Sequence, residues 1–505
     1  MKIIEFLKVL DKINLLSLLN LRYLAASLYK NGINIMMLLD FAGKAYGDRT
    51  ALVDDKETLG YKGLADQSEK LAHALKIHYR LKEGQKAGFL CNNDASFIKA
   101  VFAVSRLGLD VYLLNTGMSK TQFNRLMECH NFDFLVYDEE MAPVVEQFSY
   151  AGHRMVSGQV NLLTEQTRIR RKLPRSSSGS IMLLTGGTTG ESKKVAHKPS
   201  LSNYLSPFVA LLTRLKLLSC SSIYVATPIY HGYGIAILLS SVALGKKVVI
   251  SRHFEATKAC RLVAVHQVEA VTVVPLMVRR MLDAGAEELK CLRCIASGGA
   301  ELDSRLVDKV FRELGPVLYN LYGTSETGLN IIATPEDLRY SAKTLGQVID
   351  GLELKLLNAS GEEIGEGKIG QFCIKNKWSM SNADHAWIKT GDLGYRDHKG
   401  YYFYCGRTDD LVVSGGEKVY PIELERLLLR HPEVKDAAVV GVSDEQFGQR
   451  LKAFVQPKNK GVLNETSLIS WLKANATRSH VPKEIVILDL LPYTPLGKPD
   501  KKQLV

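Results

Sequence analysis

No cysteine framework runs through this 505-residue chain; its eight cysteines are scattered. The C-x-x-C at Cys291-Leu292-Arg293-Cys294 has neither a second such pair nor a histidine pair to complete a zinc site. It lies in an apolar, strand-like run and reads as core. Reduced thiols suit a cytoplasmic protein. Also missing is any Lys/Arg block interleaved with aromatics, so nucleic acid is not an expected partner despite a formal net charge of +12. That balance suits a solvated basic surface, an anionic membrane surface or a polyanionic small ligand. Residues 1–40 hold no uncharged stretch of roughly 18 residues, which argues against a spanning helix there. Glu5 and Lys8 break the apolar segment that a cleaved signal peptide needs.

What is present fits a globular chain of about two or three domains. Hydrophobic residues make up 46% and charged residues 23%. Residues 1–40 are leucine-rich, with charges at a spacing that suits amphipathic helices. Such helices either pack on the body, the preferred reading, or rest on a membrane surface aided by Lys2, Lys8, Lys12 and Arg22. Residues 37–159 alternate helical and strand-like runs, a βαβ rhythm that implies a mainly parallel sheet. Residues 168–180 are basic, then serine-rich, and read as a linker or loop.

The stretch Thr185-Gly186-Gly187-Thr188-Thr189-Gly190-Glu191-Ser192-Lys193 follows a short apolar run. Its glycines let backbone N–H groups turn toward an anion, its threonines add hydroxyl donors, and Lys193 adds a full charge. It can wrap the phosphates of a nucleotide. It is not a Walker A loop, because neither Gly186 nor Gly187 has a glycine five positions on.

Further motifs follow in order. Pro228-Ile229-Tyr230-His231-Gly232-Tyr233-Gly234 is an aromatic turn after a strand. Ser297-Gly298-Gly299-Ala300-Glu301 is a glycine turn where backbone can approach a flat ligand. Asn320-Leu321-Tyr322-Gly323-Thr324-Ser325-Glu326 delivers a ring, a hydroxyl and a carboxylate together; a carboxylate near phosphates makes sense if Mg²⁺ lies between them. Thr390-Gly391-Asp392, Gly406-Arg407-Thr408-Asp409-Asp410, Gly415-Gly416 and the late turn Pro495-Leu496-Gly497-Lys498 complete the set.

Together these motifs resemble the adenylate-forming (AMP-binding) superfamily, which includes the acyl-CoA synthetases. The likeness runs from about residue 41 to the C-terminus, and so many motifs in the right order are far more specific than any one. It implies a large α/β body over 41–406, made of two mainly parallel subdomains and a small β-subdomain, after a helical extension at 1–40. A hinge at 407–410, turning at Asp409, then leads to a small mobile α+β domain over 411–505. The implied reaction joins a carboxylic acid to ATP as acyl-AMP, then passes the acyl group to coenzyme A. The chemistry brings two anions together, so it depends on positioning and charge neutralisation. The resemblance gives Lys498 the bridge between carboxylate and α-phosphate, and Thr185, Gly186, Gly187, Thr188, Thr189, Gly190 and Lys193 the departing phosphates. Glu326 and Thr185 would hold Mg²⁺, and Ser325 would donate to the α-phosphate. Gly298, Gly299, Ala300 and the run Asn320, Leu321, Tyr322 and Gly323 would flank the nucleotide. Asp392 would accept the ribose hydroxyls and Arg407 would contact ribose or phosphate. Gly415 and Gly416 would line the thiol's approach, and His231, Gly232 and Gly234 the acyl pocket.

Three departures stand out. The phosphate loop ends Ser192-Lys193-Lys194 where Pro-Lys-Gly is usual, its middle is Gly186-Gly187, and Ser325 stands for threonine. None removes a charge that the chemistry needs. Apolar runs at 232–239 and 329–332, with no charged anchor for an amino acid, point to a medium- or long-chain fatty acid. Aryl acids are a variant, and a carrier protein's thiol an alternative acceptor. Lys498→Ala is expected to slow acyl-adenylate formation by about 100-fold or more, read as acid-dependent pyrophosphate release.

Overall fold

The computed structural model describes residues 15, 17–169, 171–177, 179–186, 192–197, 205–379, 386–415, 417–459, 461–494 and 497–504, with backbone alone at 183–186, 192–197 and 205. Three sheets organise them. One has six strands in the spatial order His153–Val156, Phe134–Tyr137, Lys86–Leu90, Asp110–Leu113, Ile181–Gly186 and Ser192–His197. Only its last pairing is antiparallel.

The second path has thirteen strands, opens with the short strand Thr58–Gly60 antiparallel to Thr50–Val53, and changes character half-way. Thr50–Val53, Lys247–Ile250, Ser222–Val225, Ala270–Val273, Cys294–Gly298 and Leu318–Thr324 are parallel neighbours in that order. Their Val/Ile-rich runs suit strands covered on both faces. From Gly328–Ala333 onward, through Thr344–Val348, Tyr402–Arg407, Ile388–Arg396, Gly370–Lys375 and Glu353–Leu357, every pairing is antiparallel. The expected β-subdomain is therefore an extension of the parallel sheet, not a sheet apart.

Helices Ile35–Tyr46, Tyr61–Tyr79, Ala95–Arg106 and Gly232–Ala243 contribute to a core that joins both sheets. Leu39, Leu71, Phe97, Phe102 and Leu238 are buried in it. The helix at Ala95 begins cleanly because the Asp94 carboxylate accepts from the Phe97 N–H at 2.8 Å. The apolar run at 232–239 is thus a helix that fills this core, with Ile235, Ile237 and Leu238 buried. Ile331 and Ile332 are fully buried in a strand. The side chains that suggested a fatty acid are spent on packing: alternation and helical spacing report burial and do not separate core from cavity wall.

The tail carries the third sheet. Glu417–Val419, Val412–Ser414, Gly448–Pro457 and Val434–Asp444 lie in that order, and Glu484–Ile487 pairs with Gly448–Pro457. Its core is its own: Leu424, Leu428, Val439, Leu451, Leu468 and Leu472 pack together. At the other end, residues 1–14 and 16 lie outside the described residues. Helix Ile35–Tyr46 packs on the body, while helix Leu18–Asn31 leaves Leu18, Leu19 and Tyr29 exposed. Among the described residues no helix is long and apolar enough to cross a membrane.

Phe102→Ala empties a ring-sized volume in the core between the two sheets. It is expected to lower stability by about 3–5 kcal/mol, measured by chemical denaturation.

Candidate active site

The parallel strands end on one edge, and the motifs lie just past those ends, where ligands of open α/β sheets bind. Strand Cys294–Gly298 delivers Gly298, which lies opposite Leu321 in register. A Cβ on Gly298 would stand 3.0 Å from the Leu321 carbonyl oxygen, and Gly299 has φ +80°, so this turn favours glycine at both positions. Next to it strand Leu318–Thr324 brings Asn320 and Tyr322. Asn320 is anchored by its amide N–H to the Thr344 carbonyl at 3.2 Å. Gly323 touches the partner strand so closely that a Cβ would meet the Gly328 oxygen at 2.3 Å. Ser325 and Glu326 follow at the tip of this hairpin. Among the described residues Glu326 has no hydrogen-bond or ion-pair partner, so its carboxylate is available to a cation.

Asp392 lies within strand Ile388–Arg396, directly opposite Arg407. It is buried. One carboxylate oxygen accepts from the Tyr322 hydroxyl at 2.7 Å and the other from Arg407 Nη1 at 2.9 Å. Burial pushes this carboxyl above the ordinary aspartate range, while Tyr322, Arg407 and Lys498 pull against the rise. Gly391 has φ +79°, and a Cβ there would stand 2.7 Å from Arg407 Nη2, so glycine inside the strand makes room for the guanidinium. Arg407 Nη2 also reaches Asp409 at 3.2 Å, and the Thr408 N–H binds the Gly391 carbonyl at 2.8 Å. Arg407 Nε is buried without a partner among the described residues. Such an unspent donor beside a carboxylate fits a site for a ribose or a phosphate.

His231 caps the start of helix Gly232–Ala243, and its N–H binds the Pro228 carbonyl at 3.1 Å. The turn is clamped by Asn93, a residue with no motif around it. Its amide donates to the Thr227 carbonyl at 3.1 Å and accepts from the Ile229 N–H at 2.8 Å. His231 Nε2 is buried and has no partner among the described residues. Burial, helped by the charge of Lys498, lowers its pKa to about 4. The imidazole is therefore neutral at pH 7. Gly234 lies in the first turn of the helix, where a Cβ would stand 2.4 Å from the Pro228 oxygen; its missing side chain makes room for backbone.

Lys498 arrives from the far end of the chain. Protein surrounds it on most sides, yet its side chain still meets solvent. That crowding lowers its pKa, Arg407 adds to the effect, and Asp392 opposes it. Its charge is thus felt at both His231 and Asp392. The tail is docked so that Lys498, His231, Asp392, Arg407 and Tyr322 converge. Gly415, in the tail, donates its N–H to the Phe447 carbonyl at 2.9 Å. Thr185, Gly186 and Lys193 are described by backbone only, with Thr185 paired to Lys193 in an antiparallel hairpin. Gly187, Thr188, Thr189, Gly190 and Gly416 lie outside the described residues.

An AMP-binding enzyme family model matches residues 39–382, and the model of the AMP-binding enzyme C-terminal domain matches 423–498. The chain belongs to the AMP-binding enzyme family. Curated relatives of this AMP-binding enzyme include the 2-succinylbenzoate–CoA ligases of Bacillus pumilus (strain SAFR-032) and Bacillus subtilis (strain 168). The first is 27% identical over 478 residues, 90% of this chain and 95% of the relative. The second is 28% identical over 476 residues, with the same coverage. Among solved structures, o-succinylbenzoate CoA synthetase from Bacillus subtilis with its acyl-adenylate intermediate superposes with a TM-score of 0.81 at 25% identity, covering 92% of this chain and 97% of that one. The anthranilate CoA ligase with anthranoyl-AMP shares the fold, with a TM-score of 0.82 at 20% identity over 93% of this chain and 96% of that one.

Sequence reasoning missed Asn93 and the polar contacts between the AMP-binding body and the tail. Arg279 meets Asp436 at 3.2 Å, and Arg426 meets Glu301 at 2.6 Å. These pairs are far apart along the chain and carry no local pattern.

An unfolded histidine takes up its proton near pH 6.5, whereas His231 in the folded enzyme waits until about pH 4. Between those values the unfolded state binds more protons, so His231 makes stability fall as pH drops through this window. His231→Asn is expected to flatten that slope in denaturation curves taken at a series of pH values.

Proposed function

We propose that this AMP-binding enzyme is an AMP-forming acid–thiol ligase that activates an aromatic carboxylic acid of the succinylbenzoate kind and transfers the acyl group to coenzyme A. The convergence of Lys498 on Asp392 and His231 carries the reaction. An ammonium there can neutralise charge as the carboxylate meets the α-phosphate. Asp392 and Arg407 hold the ribose end, with Tyr322 and the turn at Gly298 along the adenine. Arg407 trades its hold on Asp392 for nucleotide oxygens and still has Nε–H to give. Glu326, whose carboxylate has no partner among the described residues, would hold Mg²⁺, and the ion would offset phosphate charge. Neutral His231 can donate from or accept at Nε2 beside the acyl carbonyl and the thiol. The hinge at 407–410 then lets the tail turn, withdrawing Lys498 and bringing Gly415 toward the thiol's path.

The acid class rests on the relatives. The chain matches enzymes named for 2-succinylbenzoate over nine-tenths of its length. The fatty acid expected from apolar runs is set aside, since those runs are core. Ring-bearing acids and coenzyme A also replace the carrier-protein alternative, which no observation favours.

Incubation with ATP, Mg²⁺, coenzyme A and a panel of acids tests the reading through AMP release. Aryl acids bearing a short carboxylate arm are expected to exceed fatty acids by about tenfold or more in kcat/KM. Equal or better turnover of fatty acids would overturn the acid class.

A further inference from the structure

Lys498 acts from a tail domain, so something must hold that tail in register with the body. We propose that Arg279, acting through Asp436 and Tyr493, is a positioning residue that seats Lys498 for the adenylate-forming step and so weights the enzyme toward that step. The inference rests on the two-step reading above.

The contacts form one chain. Tyr493 and Lys498 belong to the same closed loop. The Thr494 N–H binds the Lys498 carbonyl at 2.8 Å, the Lys498 N–H binds Thr494 Oγ1 at 3.2 Å, and Tyr493 pairs with Pro499 across the loop. Fixing Tyr493 therefore fixes Lys498. The Tyr493 hydroxyl donates to Asp436 Oδ2 at 2.7 Å, and Asp436 lies on the tail strand Val434–Asp444. This bond is internal to the tail and travels with it. Burial and the Asp436 carboxylate both raise the Tyr493 phenol, so it stays protonated and keeps donating.

The crossing to the body is made by Arg279. It lies on helix Pro275–Gly285, whose proline at the first turn sets its start. Its Nη1 meets the same Asp436 Oδ2 at 3.2 Å and the Lys435 carbonyl at 3.4 Å. Its Nη2 stands 3.5 Å from Asp303 in the body. Asp303 thus aims the guanidinium at the tail. Side chains of Arg279 and Asp436 are 22% and 16% accessible, dry enough for the pair to outweigh an ordinary surface ion pair. The loop tip seats on the start of the same helix. Gly497 has φ +67°, and a Cβ on it would stand 2.8 Å from Val274 Cγ2 and 3.3 Å from Leu276 Cβ. One helix thus receives the loop at its first turn and grips the loop's anchor one turn later. Of these contacts, those of Arg279 with Asp436 and Lys435 and of Gly497 with Val274 and Leu276 join body to tail. They are lost when the tail turns for thiol transfer.

The test separates the two half-reactions in the full-length enzyme. Acid-dependent pyrophosphate release reads the first, and coenzyme A acylation from supplied acyl-adenylate reads the second. Arg279→Ala and Asp436→Asn are each expected to slow the first about tenfold and leave the second unchanged or faster. Arg279→Lys should recover part of the loss. Arg305→Ala, which removes the second guanidinium from the same Asp303 oxygen, should leave both steps unchanged. A second readout needs no acid. Hydrogen exchange across residues 493–500 and 274–276 should quicken in Arg279→Ala, while strand Cys294–Gly298 keeps its protection. If both half-reactions fall together, or if exchange at 493–500 is unaltered, the positioning role is wrong. If the wild-type enzyme turns over no aryl acid but exchange at 493–500 responds as stated, the acid class fails and the positioning role stands.

Discussion

The buried carboxylate of Asp392 is the junction on which the site depends. One oxygen is held by Tyr322 from the parallel part of the long sheet, the other by Arg407 at the end of strand Tyr402–Arg407. A lone buried carboxylate would be costly, and this one is stabilised by donors on both sides. Because Arg407 also reaches Asp409, the guanidinium that holds Asp392 is tied directly to the residues just past its own strand. Lys498 completes the arrangement by adding a positive charge from the opposite end of the chain.

The glycine-rich turns and short polar motifs were legible because each meets a local demand. Gly298, Gly391 and Gly323 sit where a Cβ would strike a neighbouring backbone or the Arg407 guanidinium. Such requirements leave marks within a few residues of sequence. The alternating pattern likewise gave the parallel sheet, since buried strands need Val and Ile on both faces. The strand that carries Asp392 was not visible, because the glycine beside it leaves the local backbone conformation open. The apolar runs suggested a fatty acid for a different reason. Ile235 and Leu238 are apolar at helical spacing whether they face a ligand or Phe97 and Phe102, and only the fold distinguishes the two. Arg279 and Asp436 were invisible for a third reason. A contact made across 157 positions of chain, between two ordinary charged residues, has no local constraint to betray it.

The extension at the N-terminus divides in the same way. Helix Ile35–Tyr46 is apolar because it belongs to the core. Helix Leu18–Asn31 keeps Leu18, Leu19 and Tyr29 in water. Leucine spacing alone does not say which of two neighbouring helices is covered.

The tail owns a complete interior of its own, built from Leu424, Leu428, Leu451, Leu468 and their neighbours. A rigid turn of this unit uncovers none of that oil-like filling. What would change is a short set of charged and hydrogen-bonding contacts, for which water is a ready substitute, together with the seating of Gly497 on Val274. The rotation proposed above would therefore leave the dominant driving force of folding untouched, and its balance could be retuned by single polar residues without endangering either half of the molecule.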